Sequence, residues 1–333
     1  MRLSLLLLWP LLLCLRLAQA AATPCAVCHP VESQAHAQTR MASAMVPALE
    51  SGFAKNIESL ALREPGGGYR FVYKKTTSGV DVSSSRGSDY AVGTIEWVLG
   101  YGAQGETPIV KSAGRFFESR VSFFPRLQQY GITVGQSAAP SRSATASLGR
   151  AKTPSELSQC LGCHSTVLDS AFTQIIPGVQ CEKCHPGASS HAAGKGIPLN
   201  PGKLLAGEQV RLCGNCHRNT PPVDDSQLEN VRFQPLRLMK SRCFRSGKLA
   251  CTTCHVAHQD ARRNAAAFYN EKCLVCHSGS AFHLDVRATG NCIGCHMPQI
   301  QLHPAIRFTD HFIRIAKAAD YPPGSITKRA GEP

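Results

Sequence analysis

Beyond its first seventeen residues the chain has no apolar run of membrane-spanning length. A bundle of transmembrane helices is therefore excluded for that part of the sequence. Acidic residues are few, 22 against 36 basic ones, and the formal net charge is +14. The positive residues are scattered and no binding motif accompanies them, so the excess does not point to nucleic acid. No tetratricopeptide-type repeat is visible. One G-x-G-x-x-G is present, at Gly100, Gly102 and Gly105, but Pro108 follows at once. No β-α-β unit surrounds it, which rules out a dinucleotide site and leaves hairpin turns to account for the glycines.

Cysteine, by contrast, is abundant: sixteen in 333 residues, far more than an ordinary cytosolic enzyme carries. Arg2 is the only early charge, Leu3 to Leu13 is almost entirely leucine, and the apolar run ends near Leu17. Ala18-Gln19-Ala20 has the A-x-A form of a cleavage site. This run of apolar residues ending in small ones reads as a secretory signal peptide over residues 1–20. Cys14 would leave with it. Leu13 stands where a lipoprotein signal wants a small residue, so Cys14 is not read as a lipid anchor. The mature chain is expected to be exported, periplasmic or otherwise, with no transmembrane segment. Export would ordinarily point to disulfides, but the spacing of the remaining cysteines overrules that.

C-x-x-C-H occurs at Cys25-Cys28-His29, Cys160-Cys163-His164, Cys181-Cys184-His185 and Cys213-Cys216-His217. It recurs at Cys251-Cys254-His255, Cys273-Cys276-His277 and Cys292-Cys295-His296. Seven motifs use fourteen of the fifteen cysteines that remain after residue 20. The pattern is that of c-type haem attachment. Two thiols must reach two vinyl groups on one haem edge, and the next residue must turn an imidazole to the iron. On a helical turn, positions i, i+3 and i+4 share one face and satisfy all three demands. Paired C-x-x-C motifs can also hold zinc, but zinc has no use for a histidine after every second cysteine. The expected cofactor is seven covalent haem c groups.

The last six motifs are separated by 16, 27, 33, 17 and 14 residues, too few to build separate cores, so the haems must form the core. Between His29 and Cys160 lie 130 residues with no motif. Strand-forming stretches at Tyr69–Tyr73, Tyr90–Leu99 and Phe116–Phe124 are punctuated by glycine clusters. Trp97, Phe116, Phe123 and Phe124 are expected to fill a core there. The expected division is a signal peptide at 1–20, a first haem segment at 21–65 and a β-rich insert at 66–135. A Ser/Ala/Thr/Pro-rich linker at 136–155 and a six-haem domain at 156–333 complete it. The expected fold class is mostly α and irregular coil wrapped round stacked c-type haems, with the β-rich insert set into it.

Each motif histidine is a candidate proximal ligand, and six more histidines are candidates for the sixth position: His36, His191, His258, His283, His303 and His311. Five of them follow a motif histidine by three to seven residues. So short a segment can hardly pass round the porphyrin edge, so each is expected to ligate a neighbouring haem. Six spares for seven irons leave one iron over, which a methionine (Met41, Met45 or Met239), a lysine or water would complete. Met297 adjoins His296 and cannot bend back to the same iron. The first haem, remote in sequence, is the expected odd one. Cys243 stands outside every motif and reads as a buried thiol.

The segments Cys25 to Met41, Phe116 to Gly135, Cys181 to His191, Cys243 to His258, Cys292 to Pro298 and Thr309-Asp310-His311 carry a resemblance. With them the chain resembles the multihaem c-type cytochromes of the cytochrome c-554-like, doubled-CxxCH family, which includes the tetrahaem electron carrier of ammonia oxidisers. The resemblance implies a haem-wire fold and bis-histidine haems. Without Arg2 and Arg16 the chain has thirty-four basic and twenty-two acidic residues, a net charge of +12. Seven ferric haems with their propionates would bring it to about +5. The expected function is electron transfer by haem-to-haem hopping between redox partner proteins, either other cytochromes or a quinol-linked donor. The alternative is a reductase or oxidase of nitrite, hydroxylamine or a similar small nitrogen compound at one open iron.

Overall fold

The computed structural model describes residues 24–55, 57–102, 104–218, 227–263, 265–278 and 291–326. The expected signal peptide and His283 lie outside them.

The mostly α and irregular-coil class expected from the sequence is wrong: an antiparallel sheet of eight strands makes up a large part of the molecule. Its strands are β1 (Met45–Pro47), β2 (Leu62–Arg63), β3 (Arg70–Lys75), β4 (Val80–Arg86) and β5 (Asp89–Leu99). They continue with β6 (Thr107–Ser112), β7 (Arg115–Ser119) and, after the separate hairpin β8 (Val121–Phe124)–β9 (Gln129–Ile132), with β10 (Gly149–Lys152). The path is β10-β7-β6-β5-β4-β3-β2, and β1 joins β5. Antiparallel meanders need only tight turns between neighbours, so 130 residues without a haem motif suffice to build the sheet. The eleven-residue β5 holds it together: its residues 89–95 pair with β4, and residues 97–99 pair with β1.

Alternation decides which face is buried. Phe71 and Tyr73 of β3, with Val80, Val82 and Ser84 of β4, point inward onto Phe53, Ile57, Ile95, Phe117 and Leu148. Ser84 is fully buried and shares a 2.5 Å hydroxyl bond with Ser147, so a polar residue completes the inward row. Pro108, the second residue of β6, stands opposite Val98 and outside the residues paired to β7, where its missing N–H leaves no gap in that ladder. Phe123 and Phe124 are buried as expected, while Trp97 and Phe116 pack half-buried against Met45, Ile109, Leu157 and Leu161. The Gly100 and Gly102 backbones have positive φ in the turn after β5, and Gly102 N–H donates to Glu106 at 3.0 Å. They are turn residues.

The remainder is short helices joined by turns and two further hairpins, β11 (Ser165–Leu168)–β12 (Ile175–Pro177) and β13 (Gln299–His303)–β14 (Ile306–Thr309). The two parts are stitched together. The Gln104 side chain donates to Arg307 O at 2.5 Å and accepts from Arg307 N at 3.2 Å. Val179 N donates to Met41 O at 2.9 Å, and Gly178 passes the Ala42 carbonyl so closely that a Cβ would lie 1.8 Å from its oxygen.

Candidate haem-binding site

Local structure positions the motifs. Short helices carry them: Pro24–Cys28, Pro154–His164, Cys181–Cys184, Ala206–His217, Cys251–Cys254, Ala266–Leu274 and Cys292–His296. In four motifs the histidine N–H donates to the carbonyl of the first cysteine, His29 to Cys25 at 2.8 Å, His185 to Cys181 at 2.9 Å, His255 to Cys251 at 3.0 Å and His277 to Cys273 at 2.9 Å. That i→i+4 bond closes the helical turn that puts both thiols and the imidazole on one side. Thr153 and Glu156 form a reciprocal capping box at the start of helix Pro154–His164. Asn291 caps helix Cys292–His296 by accepting from Gly294 N at 3.0 Å.

All seven motifs open into one cavity of about 3750 Å³, whereas a pocket for one small organic ligand takes roughly 300–1,000 Å³. Every motif cysteine except Cys160 lines it, as do all seven motif histidines. Of the spare histidines, His36, His191, His258 and His311 line it too. His303 does not: its Nδ1 accepts from Ala305 N at 3.2 Å, and its ring packs 5.1 Å from that of Phe124. Met41 and Met297 face the cavity, whereas Met45 is buried in the core beside Leu157. Cys243 lines it close to Cys254 and Cys276, and burial raises its pKa.

Motifs distant in sequence meet here. The Cys163 thiol is pulled down to about 6 by a hydrogen bond from Cys216, and the same bond raises Cys216. Cys213 is lowered to about 7 by its bond with Cys251. Cys25 lies against Cys181, Cys184 near Cys213, and Cys273 near Cys292 and Cys254. The first motif is therefore not isolated. Its helix also packs against helix Ala188–Ala192, which carries His191.

The donor chemistry fits haem c. A carbonyl oxygen can only accept, so a ring nitrogen bonded to one carries its proton and leaves the other nitrogen's lone pair free for iron. Nδ1 is tied in this way in His164 (Ala44 O, 2.7 Å), His185 (Leu199 O, 2.9 Å), His191 (Gly196 O, 3.1 Å) and His311 (Thr309 O, 2.9 Å). His36 is reversed, with Nε2 on Val179 O at 2.7 Å. Burial pushes His311 down to about 4, with His255 nearby adding to the fall, and burial likewise lowers His164, His217 and His255. The neutral imidazole that results is the form that binds metal. The cavity wall also presents bare apolar surface: Ile197 is 93% exposed, Val275 79%, Val27 75% and Ile315 67%. Flat apolar macrocycles would cover it. Among the described residues no three or more His, Cys, Asp or Glu side chains converge on one point, as a tetrahedral zinc site would require.

The family described as "Cytochrome c554 and c-prime" matches residues 131–186, which hold the second and third motifs. The crystal structure of outer cell wall cytochrome OcwA shares the fold, with a TM-score of 0.51 and 15% identity, covering 90% of this chain and 80% of that one. Over residues 131–186 the chain is thus similar to c-type cytochromes of that family, and its fold is similar to that of a multihaem cytochrome. No curated protein matches it. A multihaem cytochrome carries covalent haem c, transfers electrons and works between redox partners. No described helix is long and apolar enough to cross a membrane.

Residues that the sequence did not single out also shape the site. Tyr269 lies 6.0 Å from the ring of His255. Arg40 pairs with Asp260 at 3.7 Å, joining the first haem segment to the stretch after His258. Asp310 anchors the strand end next to His311. Of these, Arg40 and Asp310 lay in segments that carried the resemblance, and Tyr269 and Asp260 did not. An isolated arginine or tyrosine carries no spacing signal.

Proposed function

We propose that this cytochrome carries seven haems, one on each C-x-x-C-H motif, and passes electrons along them between soluble or surface-bound redox partners after export. The single cavity shared by all seven motifs carries this reading. Haem c supplies reversible one-electron chemistry at its iron. The chain would supply the rest: fourteen thiols to fix the macrocycles, seven motif histidines as first ligands, and His36, His191, His258, His283 and His311 as candidates for the second, whereas His303 stands outside the cavity against Phe124. The thiol contacts support a contiguous order of motifs, first to third to fourth to fifth and on to the sixth and seventh, with the second beside the fourth. The leucine-rich stretch ending at Ala18-Gln19-Ala20 supports export, where haem attachment would precede or accompany folding. We also propose a division into a first haem segment (21–65), a β-rich segment (66–135), a connecting stretch (136–155) and a six-haem region (156–333), with β1 and β2 of the first and β10 of the third completing the sheet.

Coulometric titration of the purified holoprotein tests the reading. Full reduction should take up seven electrons per molecule and reoxidation should return them. Fewer than six would contradict it.

One observation favours a second reading. Four described spare histidines face the cavity, fewer than the seven irons proposed for it, so an iron with an exchangeable sixth position would permit reduction or oxidation of a small nitrogen compound. Cyanide-induced loss of a high-spin resonance in the resting protein would support that reading. An entirely low-spin resting protein would exclude it.

A further inference from the structure

Two imidazoles bound trans to one iron, each by a metal–nitrogen bond of about 2 Å, have ring centres about 6 Å apart. Cavity histidines show that separation in three places. His185 and His258 stand 6.2 Å apart, His255 and His311 6.1 Å, and His36 and His258 6.3 Å. The first two couple a motif histidine with a spare one. The third couples two spares, neither of which has a haem of its own.

Hydrogen bonds separate these pairs. In each of the first two, one ring is fixed with Nδ1 on a carbonyl: His185 on Leu199 at 2.9 Å and His311 on Thr309 at 2.9 Å. Nε2 of each is thereby left as the metal-binding nitrogen. The facing rings, His258 and His255, make no hydrogen bond among the described residues and are free to turn a nitrogen to the same point. His36, in contrast, has Nε2 committed to Val179 O at 2.7 Å. Its ring also stands at 86° to His258, against 32° for His185 with His258 and 29° for His255 with His311.

We infer that His258 is the sixth ligand of the haem on the third motif, opposite His185, and that His311 is the sixth ligand of the haem on the fifth motif, opposite His255. The inference rests on the proposed haem loading. It makes His255–His258 a staple: two ligands three positions apart bind different irons, so one short segment fixes the third and fifth haems relative to each other. The seven-residue stretch Asp310–Ala316 plays the partner's role, because it is pinned at several points. Asp310 N bonds Pro298 O at 2.9 Å, Ile313 N bonds Ser241 Oγ at 2.8 Å and Ala316 N bonds Cys295 O at 3.2 Å.

A high-resolution structure of the wild-type holoprotein tests this directly. His258 should lie about 2 Å from the iron bound by His185, and His311 about 2 Å from the iron bound by His255. A different sixth ligand on either iron would overturn the assignment while leaving the seven-haem reading intact. Motif cysteines without haem would defeat that reading instead. In solution, His258→Ala and His311→Ala should each convert one low-spin haem to high spin, and the double variant should convert two, with haem number by intact mass unchanged. Conversion of the same single haem by both substitutions, or of none, would contradict the pairing.

Discussion

Replacing Asp310 with asparagine tests how the C-terminal segment is held beside His311. The carboxylate is fully buried. It accepts from Arg237 Nε at 2.8 Å and Nη2 at 2.6 Å, from Tyr321 OH at 2.6 Å, from Phe312 N at 3.0 Å and from Arg314 Nη1 at 3.3 Å. Burial alone would raise its pKa, but the bonds from Arg237, Tyr321 and Phe312 outweigh it and hold the group below the usual carboxylate range. In Asp310→Asn the side-chain amide would keep the shape and some of the bonds but lose the charge. Arg237, with only 11% of its side chain exposed, would then lose the charge of its bidentate partner. Breaking a buried pair by removing one partner costs about 3–5 kcal/mol. The amide still accepts from part of the cluster, so about 3 kcal/mol is expected, which for a chain of this size is on the order of 5–10 °C in melting midpoint. Denaturant titration of the holoprotein should show the loss. Amide exchange should speed up most in β14 and the segment through Tyr321, whose local opening the cluster opposes. A change within about 0.5 kcal/mol, the range of ordinary surface substitutions, together with unchanged exchange would refute this account of the anchor.

Three other outcomes are expected. Gly178→Ala should destabilise the protein by more than about 1 kcal/mol, because the position has a φ of +72° and its Cβ would meet the Ala42 carbonyl at 1.8 Å; a denaturation midpoint equal to that of the wild type would refute it. Glu64 is buried against Arg120, and although burial raises its pKa, the bonds from Ser141 and Tyr69 and the Arg120 charge lower it overall. Its contribution is therefore present above the ordinary value of 4.5 and lost as pH falls through the lower folded value, so the stability gap between wild type and Glu64→Gln should close in acid and persist at neutral pH. Substituting Cys160 and Cys163 together with serine should remove one haem of the seven by intact mass, and an unchanged count would show that the second motif is unloaded.

The haem motifs were legible because covalent attachment fixes residue types at rigid spacing, from Cys25-Cys28-His29 through Cys292-Cys295-His296. The sheet was legible only where aromatics and β-branched residues mark it. β4 hides its inward row behind Ser84, which is satisfied by Ser147. The strands β1 and β10 are too short to carry a pattern. Ser, Ala and Thr at 143–147 resemble a linker by composition, yet Ala144 and Ser147 are buried, because small residues let that turn pack against the sheet. Spatial neighbours were the least legible. The first motif seemed remote across 130 residues, but the sheet they build returns the chain, so that Val179 N bonds Met41 O and Cys25 lies against Cys181. That removes the reason for singling out the first haem as the odd one. Sequence separation also could not reveal that His303 turns to Phe124, away from the cavity.

Intact-mass measurement of holoprotein made with a cytochrome c maturation system tests the central claim most directly. The proposed loading predicts seven covalent haem additions on a chain that has lost its leucine-rich N-terminal residues. Fewer than six additions would contradict it.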